Sequence, residues 1–155
     1  MARPRKERLI KGFARVREQL VEALDGCNDE EFTWKPRPDM KSVQEMLREC
    51  GTIETIIVTY AQTEEQLEFE TAVPWKGDNL KVTMKELEKI RGDTLQYIET
   101  LSEEELDATR LNPRGEETEI EEFLRSIYIH EYYHVGQIIY NRWLLGHNPY
   151  NKASV

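Results

Sequence analysis

The sequence predicts an all-α protein, a four-helix bundle with two longer connections. Three observations carry that prediction. Apolar residues recur at spacings of three and four over most of the chain, S/T-x-x-E signatures stand at the start of the periodic segments, and no stretch alternates as a strand would. The 155 residues are enough for one core, so a single bundle domain over 1–155 is expected.

The first helix is marked by Leu9, Phe13, Val16, Leu20 and Leu24, which form one stripe. Gly26 stops it, at the place where helices end in a residue with positive φ. Asn28 can cap one short turn, and Pro36 and Pro38 then forbid a continued helix. Ser42-Val43-Gln44-Glu45 is a capping box opening a second long helix, from 43 to about 70. Thr83-Met84-Lys85-Glu86 opens a third, to about Leu101, and Ser102-Glu103-Glu104-Glu105 a short acidic turn. Thr118-Glu119-Ile120-Glu121 opens the last helix, which ends near Gly146. The longer connections then fall at about 71–82 and 102–117.

Composition removes several classes of function. Thirty acids against 21 bases give a net charge of −9, which argues against nucleic acid as a partner. Arg3, Arg5, Lys6, Arg8, Lys11, Arg15 and Arg17 crowd the start, and the reading taken for them is the frayed, solvated beginning of an amphipathic helix. No apolar run follows that would make them a secretory signal, and the longest one, Ile56-Ile57-Val58, cannot span a membrane. Cys27 and Cys50 form no C-x-x-C motif, so the chain is expected to be reduced and cytoplasmic. Neither a Gly-rich phosphate loop nor a G-x-S-x-G elbow is present.

The chemistry points to His130 and His134, four residues apart in the last helix and so one turn from each other. Counting about 100° per residue from His130, Phe123 falls at roughly +20°, His134 at +40°, Ile127 at +60° and Ile138 at +80°. Both histidines therefore follow the apolar stripe into the bundle, where two imidazoles can share one ion. In the second helix Glu49 stands among Met46, Ile53, Ile56 and Tyr60. An inward carboxylate needs a partner. Either a metal ion shared with the histidines or hydrogen bonds to His130, His134, Tyr60 or Tyr133 would provide one. Glu45, one turn earlier, is accounted for by its capping box. Two histidines and a carboxylate leave coordination positions open, which suits Zn²⁺, Ni²⁺, Fe²⁺ or Mn²⁺.

Other reactive side chains carry less. Cys50 projects about 100° around the helix from Glu49, and the adjacent carboxylate would raise its pKa, which argues against a nucleophile. Tyr128, Tyr132, Tyr133 and Tyr140 are read mainly as packing residues, as are Trp34, Trp75 and Trp143.

His130-Glu131-Tyr132-Tyr133-His134-Val135-Gly136-Gln137-Ile138 resembles the H-x-x-x-H-x-G-Q-I motif in the last helix of the DinB-like (YfiT-like) metalloprotein superfamily. Trp34-Lys35-Pro36-Arg37-Pro38 followed by Ser42-Val43-Gln44-Glu45-Met46-Leu47 resembles the approach to that family's second helix. The resemblance implies a four-helix bundle holding a divalent metal, often on three histidines, of which His130 and His134 would be two. Glu49 stands where the third would be, a departure that implies either an altered metal site or a retired one. Gln137 of the motif would orient a ligand or a neighbouring side chain. Members of the family include S-transferases and isomerases that use bacillithiol, mycothiol or glutathione. The resemblance thus implies a metal-dependent thiol S-transferase, with a small-molecule thiol and an electrophile as partners and Zn²⁺ or Ni²⁺ ahead of Fe²⁺ or Mn²⁺. The alternative is a metal-free bundle that binds a small ligand or another protein. A homodimer is expected under both.

Overall fold

The computed structural model describes residues 4–150. The helices are α1 (Arg5–Ala23), the short α2 (Asp29–Thr33), α3 (Val43–Thr63), α4 (Leu80–Thr100) and α5 (Ile120–Leu144). The long helices form the bundle: α5 packs against α1 and α3, and α3 against α4. Among the described residues no helix is long and apolar enough to cross a membrane.

The α1 stripe is buried as its spacing requires, with Leu9, Phe13 and Leu20 against the core. Gly26, at φ +72°, turns the chain out of the helix. The Asn28 side chain accepts from Glu31 N at 2.9 Å and starts α2. Ser42 and Glu45 form the reciprocal box: Glu45 N donates to Ser42 Oγ at 3.2 Å and Ser42 N to the Glu45 carboxylate at 2.7 Å. Ser102 and Glu105 do the same before a 3₁₀ turn, Glu105–Asp107.

Three expectations are corrected. α3 ends at Thr63 rather than near 70, because Glu64 takes a left-handed conformation (φ 63°) and the polar Glu64-Glu65-Gln66 has nothing to bury. α4 begins at Leu80, capped by Asn79, whose side chain accepts from Val82 N at 2.9 Å. Thr83 therefore lies inside the helix, its hydroxyl buried with no hydrogen-bond partner among the described residues. Thr118 does not cap α5 either. It lies in a small antiparallel hairpin, β1 (Thr109–Leu111) with β2 (Glu117–Glu119), Arg110 opposite Thr118. Asn112 organises that turn, its side-chain oxygen accepting from Arg114 N and Glu116 N.

The basic start is also more ordered than expected. Arg3 lies outside the described residues, but Arg5 pairs with Asp107 at 2.7 Å and with Glu121, and Arg17 pairs with Glu131 at 2.6 Å.

The apolar core is in two parts. One gathers Leu9, Phe13, Ala61, Ile98 and Leu124, and the other Leu20, Phe32, Leu47, Leu87 and Ile138. Between their levels lie four charged groups. Arg91 of α4 donates to both oxygens of Glu54 of α3 (2.8 and 3.1 Å), to Glu131 of α5, and to the Phe13 carbonyl of α1 at 3.3 Å. Its guanidinium also stacks 4.7 Å over the Phe13 ring. Arg17, half-buried, completes the set, so two buried acids meet two bases. This layer ties all four long helices together at the level of Glu131, the residue next to His130.

Candidate metal centre

The groove between α3 and α5 brings Glu49, His130 and His134 together. The two imidazole Nε2 atoms are 3.2 Å apart. Glu49 Oε1 lies 3.6 Å from each of them. The point equidistant from these three atoms is about 2.0 Å from each, the length of a Zn–N or Zn–O bond. The donor set thus fits a small divalent ion by distance as well as by chemistry. Burial is graded across it: the His134 side chain is 2% exposed, His130 25% and Glu49 22%.

Neighbouring side chains hold two of the donors. Gln137 Oε1 lies 2.7 Å from His134 Nδ1, so Nδ1–H donates to the amide oxygen and the Nε2 lone pair faces Glu49 and His130. Gln137, expected to orient a ligand or a neighbouring side chain, thus lies against His134. Lys41 Nζ donates to Glu49 Oε2, which leaves Oε1 turned to the histidines. Asn141, buried in α5, donates to the Lys41 carbonyl at 3.1 Å and holds the segment carrying that lysine. Tyr133 meets the His134 ring edge-on, with centroids 5.5 Å apart.

The protonation states suit a cation. Burial pushes His134 below its ordinary value of 6.5, and the charge of His130 adds to this. Burial also lowers His130, against the opposing attraction of Glu49. For Glu49 burial acts upward, but the hydrogen bond and charge of Lys41 outweigh it and hold the carboxyl below its ordinary 4.5. Near neutral pH the carboxylate is ionised and the imidazoles are neutral, as metal ligation requires. Without an ion, the same close pair of ring nitrogens can share a proton.

Space adjoins the centre on one side. A cavity of about 690 Å³ is lined by Lys41, Met46, Glu49, Tyr133, Gln137 and Tyr140 among others. Gly136 lines it too, and a Cβ there would meet nothing within 4 Å. Farther along the groove, a hollow of about 500 Å³ is lined by Ile56, Tyr60, Leu67, Leu111, Phe123 and Ser126, with others. Ser126 is four residues, one helical turn, before His130.

Several side chains depart from expectation. Tyr60 does not reach Glu49; its hydroxyl donates to the Leu111 carbonyl at 2.8 Å. Tyr132, Tyr133, Tyr140 and Trp143 are exposed rather than packed, whereas Tyr128 stacks edge-on against Phe13. Trp75 packs as expected, close against Gly51, where a Cβ would come within 2.7 Å of its ring, and donates to Thr52 at 3.2 Å. Cys50, set aside by its helical angle, belongs with the histidines: its Sγ and one nitrogen from each ring lie within 4.8 Å of one another. The acids and bases of the buried layer also escaped the sequence reading, because their partners are 37 to 114 residues away.

The fold and these side chains define a class: a helical bundle with a candidate divalent-metal centre in the groove between two of its helices. The sequence pattern of the DinB superfamily matches residues 13–138, so the chain belongs to that superfamily. Among solved structures it is similar to a DinB-like protein from Bacillus cereus ATCC 10987. The TM-score is 0.74 with 16% identity, over 90% of this chain and 92% of that one. No curated protein matches the sequence.

Proposed function

We propose that this protein is a cytoplasmic, divalent-metal-dependent enzyme that transfers a low-molecular-weight thiol to an electrophile. Glu49, His130 and His134 hold the ion, with Zn²⁺ or Ni²⁺ the expected occupant. The observation that carries this reading is the convergence of three donor atoms at ion spacing beside a cavity. An ion there would bind a thiol as its thiolate at neutral pH and so supply the nucleophile. The chain's own residues do the positioning. Gln137 fixes the His134 ring, Lys41 aims the carboxylate, and Tyr133 and Tyr140 wall the cavity the thiol would enter. The hollow beyond Ser126 supports an electrophile with an apolar portion.

The test is consumption of bacillithiol, mycothiol or glutathione by the metal-loaded protein with a chloronitrobenzene as electrophile. Turnover with one thiol, lost in His134→Ala, is expected. A loaded protein that accelerates none of the three reactions contradicts the transferase reading.

A second reading, a metal-free module that binds a ligand or partner, has its own observation. Lys41 neutralises Glu49 without an ion, and α5 exposes Tyr132, Tyr140 and Trp143. Its mark is a melting temperature indifferent to chelator and to added metal. That exposed face supports a homodimer under either reading, with gel filtration as the check.

A further inference from the structure

The histidine pair is flanked from α3 by two different donors. Glu49 approaches from the exposed edge of the groove, with a side chain 22% exposed. Cys50 approaches from the core and is 4% exposed. Its sulfur forms a group with one ring nitrogen each of His130 and His134, all within 4.8 Å of one another. We propose that Cys50 is a thiolate ligand of the ion held by His130 and His134, so that the centre prefers a thiophilic cation, Zn²⁺ or Co²⁺ over Mn²⁺. This inference rests on the metal centre proposed above and adds a sulfur donor to it; the substrate thiol would then enter as a fifth ligand, an expansion that Zn²⁺ sites allow.

Distance permits it. With Zn–S about 2.3 Å and Zn–N about 2.0–2.1 Å, sulfur and nitrogen on one tetrahedral ion sit about 3.5 Å apart. Measured to one nitrogen of each ring, the Cys50 sulfur has to close no more than about 1.3 Å to reach that spacing. Charge favours it as well. Lys41 already pairs with the outer oxygen of Glu49, so a thiolate from the core side supplies a second negative charge against the divalent cation. The bookkeeping of the step is simple: the S–H proton leaves to water, the S–metal bond forms, and nothing is oxidised or reduced. Without the ion the sulfur, 4% exposed, packs as a small apolar group on the core side of the groove. Thiolate is also the softest donor at the site, and soft donors select Zn²⁺ and Co²⁺ over Mn²⁺.

Cobalt substitution tests the inference separately from the metal reading. Co²⁺ is loaded into the wild type and into Cys50→Ser, Cys50→Ala and Cys27→Ser, with circular dichroism confirming that each is folded. Visible ligand-field bands report the bound ion, and a near-ultraviolet sulfur-to-cobalt charge-transfer band reports thiolate ligation. The wild type and Cys27→Ser are expected to show both. Cys50→Ala, and Cys50→Ser if folded, should keep the visible bands and lose the near-ultraviolet one. Their preference for Zn²⁺ over Mn²⁺ should fall by at least about tenfold. Ligand-field bands without charge transfer in the wild type, or charge transfer surviving in Cys50→Ala, overturn the assignment of Cys50 while leaving the histidine–carboxylate centre intact. Failure of the wild type to bind Co²⁺ at all overturns the metal centre and this inference together.

Discussion

Replacing Arg91 by Met removes the hub of the buried charged layer. Lost are the paired hydrogen bonds to Glu54 at 2.8 and 3.1 Å, the bond to Glu131, the bond to the Phe13 carbonyl at 3.3 Å, and the stack on the Phe13 ring. Arg17 remains, 2.6 Å from Glu131 but 4.0 Å from Glu54. Two buried carboxylates would then share one guanidinium. Breaking a buried ion pair by removing one partner costs about 3–5 kcal/mol. That is a large part of the roughly 5–15 kcal/mol that holds an ordinary domain together. At about 2–4 °C per kcal/mol for a chain of this size, the melting temperature should fall by roughly 6–20 °C. Urea unfolding followed by circular dichroism measures the loss directly. A companion variant, Glu54→Met with Arg91→Met, removes one acid and one base and leaves Arg17 with Glu131. It should recover most of the loss, because an apolar replacement of a buried pair is close to neutral. A loss below about 1 kcal/mol in Arg91→Met, or a double variant no more stable than the single, refutes the reasoning.

Gln137→Ala frees the His134 ring and should weaken metal binding about 10–100-fold in titration calorimetry while leaving the apo-protein folded; unchanged affinity contradicts the orienting role. Gly136→Ala should raise apo stability by roughly 0.5–1 kcal/mol in urea unfolding, since its Cβ meets nothing within 4 Å; destabilisation would mean that the helix needs the glycine. Because His130 and His134 titrate below 6.5 in the folded chain, the unfolded chain binds more protons just below that value. Their contribution is therefore fully present above pH 6.5 and declines as the pH falls through the window beneath it. A His130→Gln/His134→Gln variant should lose that part of the acid-side slope, and identical slopes contradict the shift.

The helical framework was legible because it rests on local rules. Leu9, Phe13, Val16 and Leu20 repeat at helical spacing and are buried, and the Ser42 and Ser102 boxes close as their spacing requires. The same S-x-x-E pattern misled at Thr83 and Thr118. A Thr three residues before Glu also occurs inside a helix, where Asn79 supplies the cap, or in a strand of three residues, too short to show alternation. The helical angles of His130, His134 and Glu49 were enough to bring those three together. They were not enough for Cys50, because an angle around one helix omits how the neighbouring helix leans over it. Arg17 was read as part of a solvated helix start, and Glu54, Arg91 and Glu131 give no local signal, since a charged residue does not announce a partner on another helix. Tyr132, Tyr133, Tyr140 and Trp143 of α5 misled in the opposite sense, being exposed rather than packed.

The central claim is that Glu49, His130 and His134 form a metal centre. Plasma mass spectrometry of the purified, untagged protein beside Glu49→Ala, His130→Ala and His134→Ala tests it most directly. The account predicts about one ion per chain in the wild type, weaker retention in Glu49→Ala and loss in both histidine variants. Histidine variants that still hold one ion tightly, or a wild type that takes up none after reconstitution with Zn²⁺, Ni²⁺, Mn²⁺ and Fe²⁺, would contradict it.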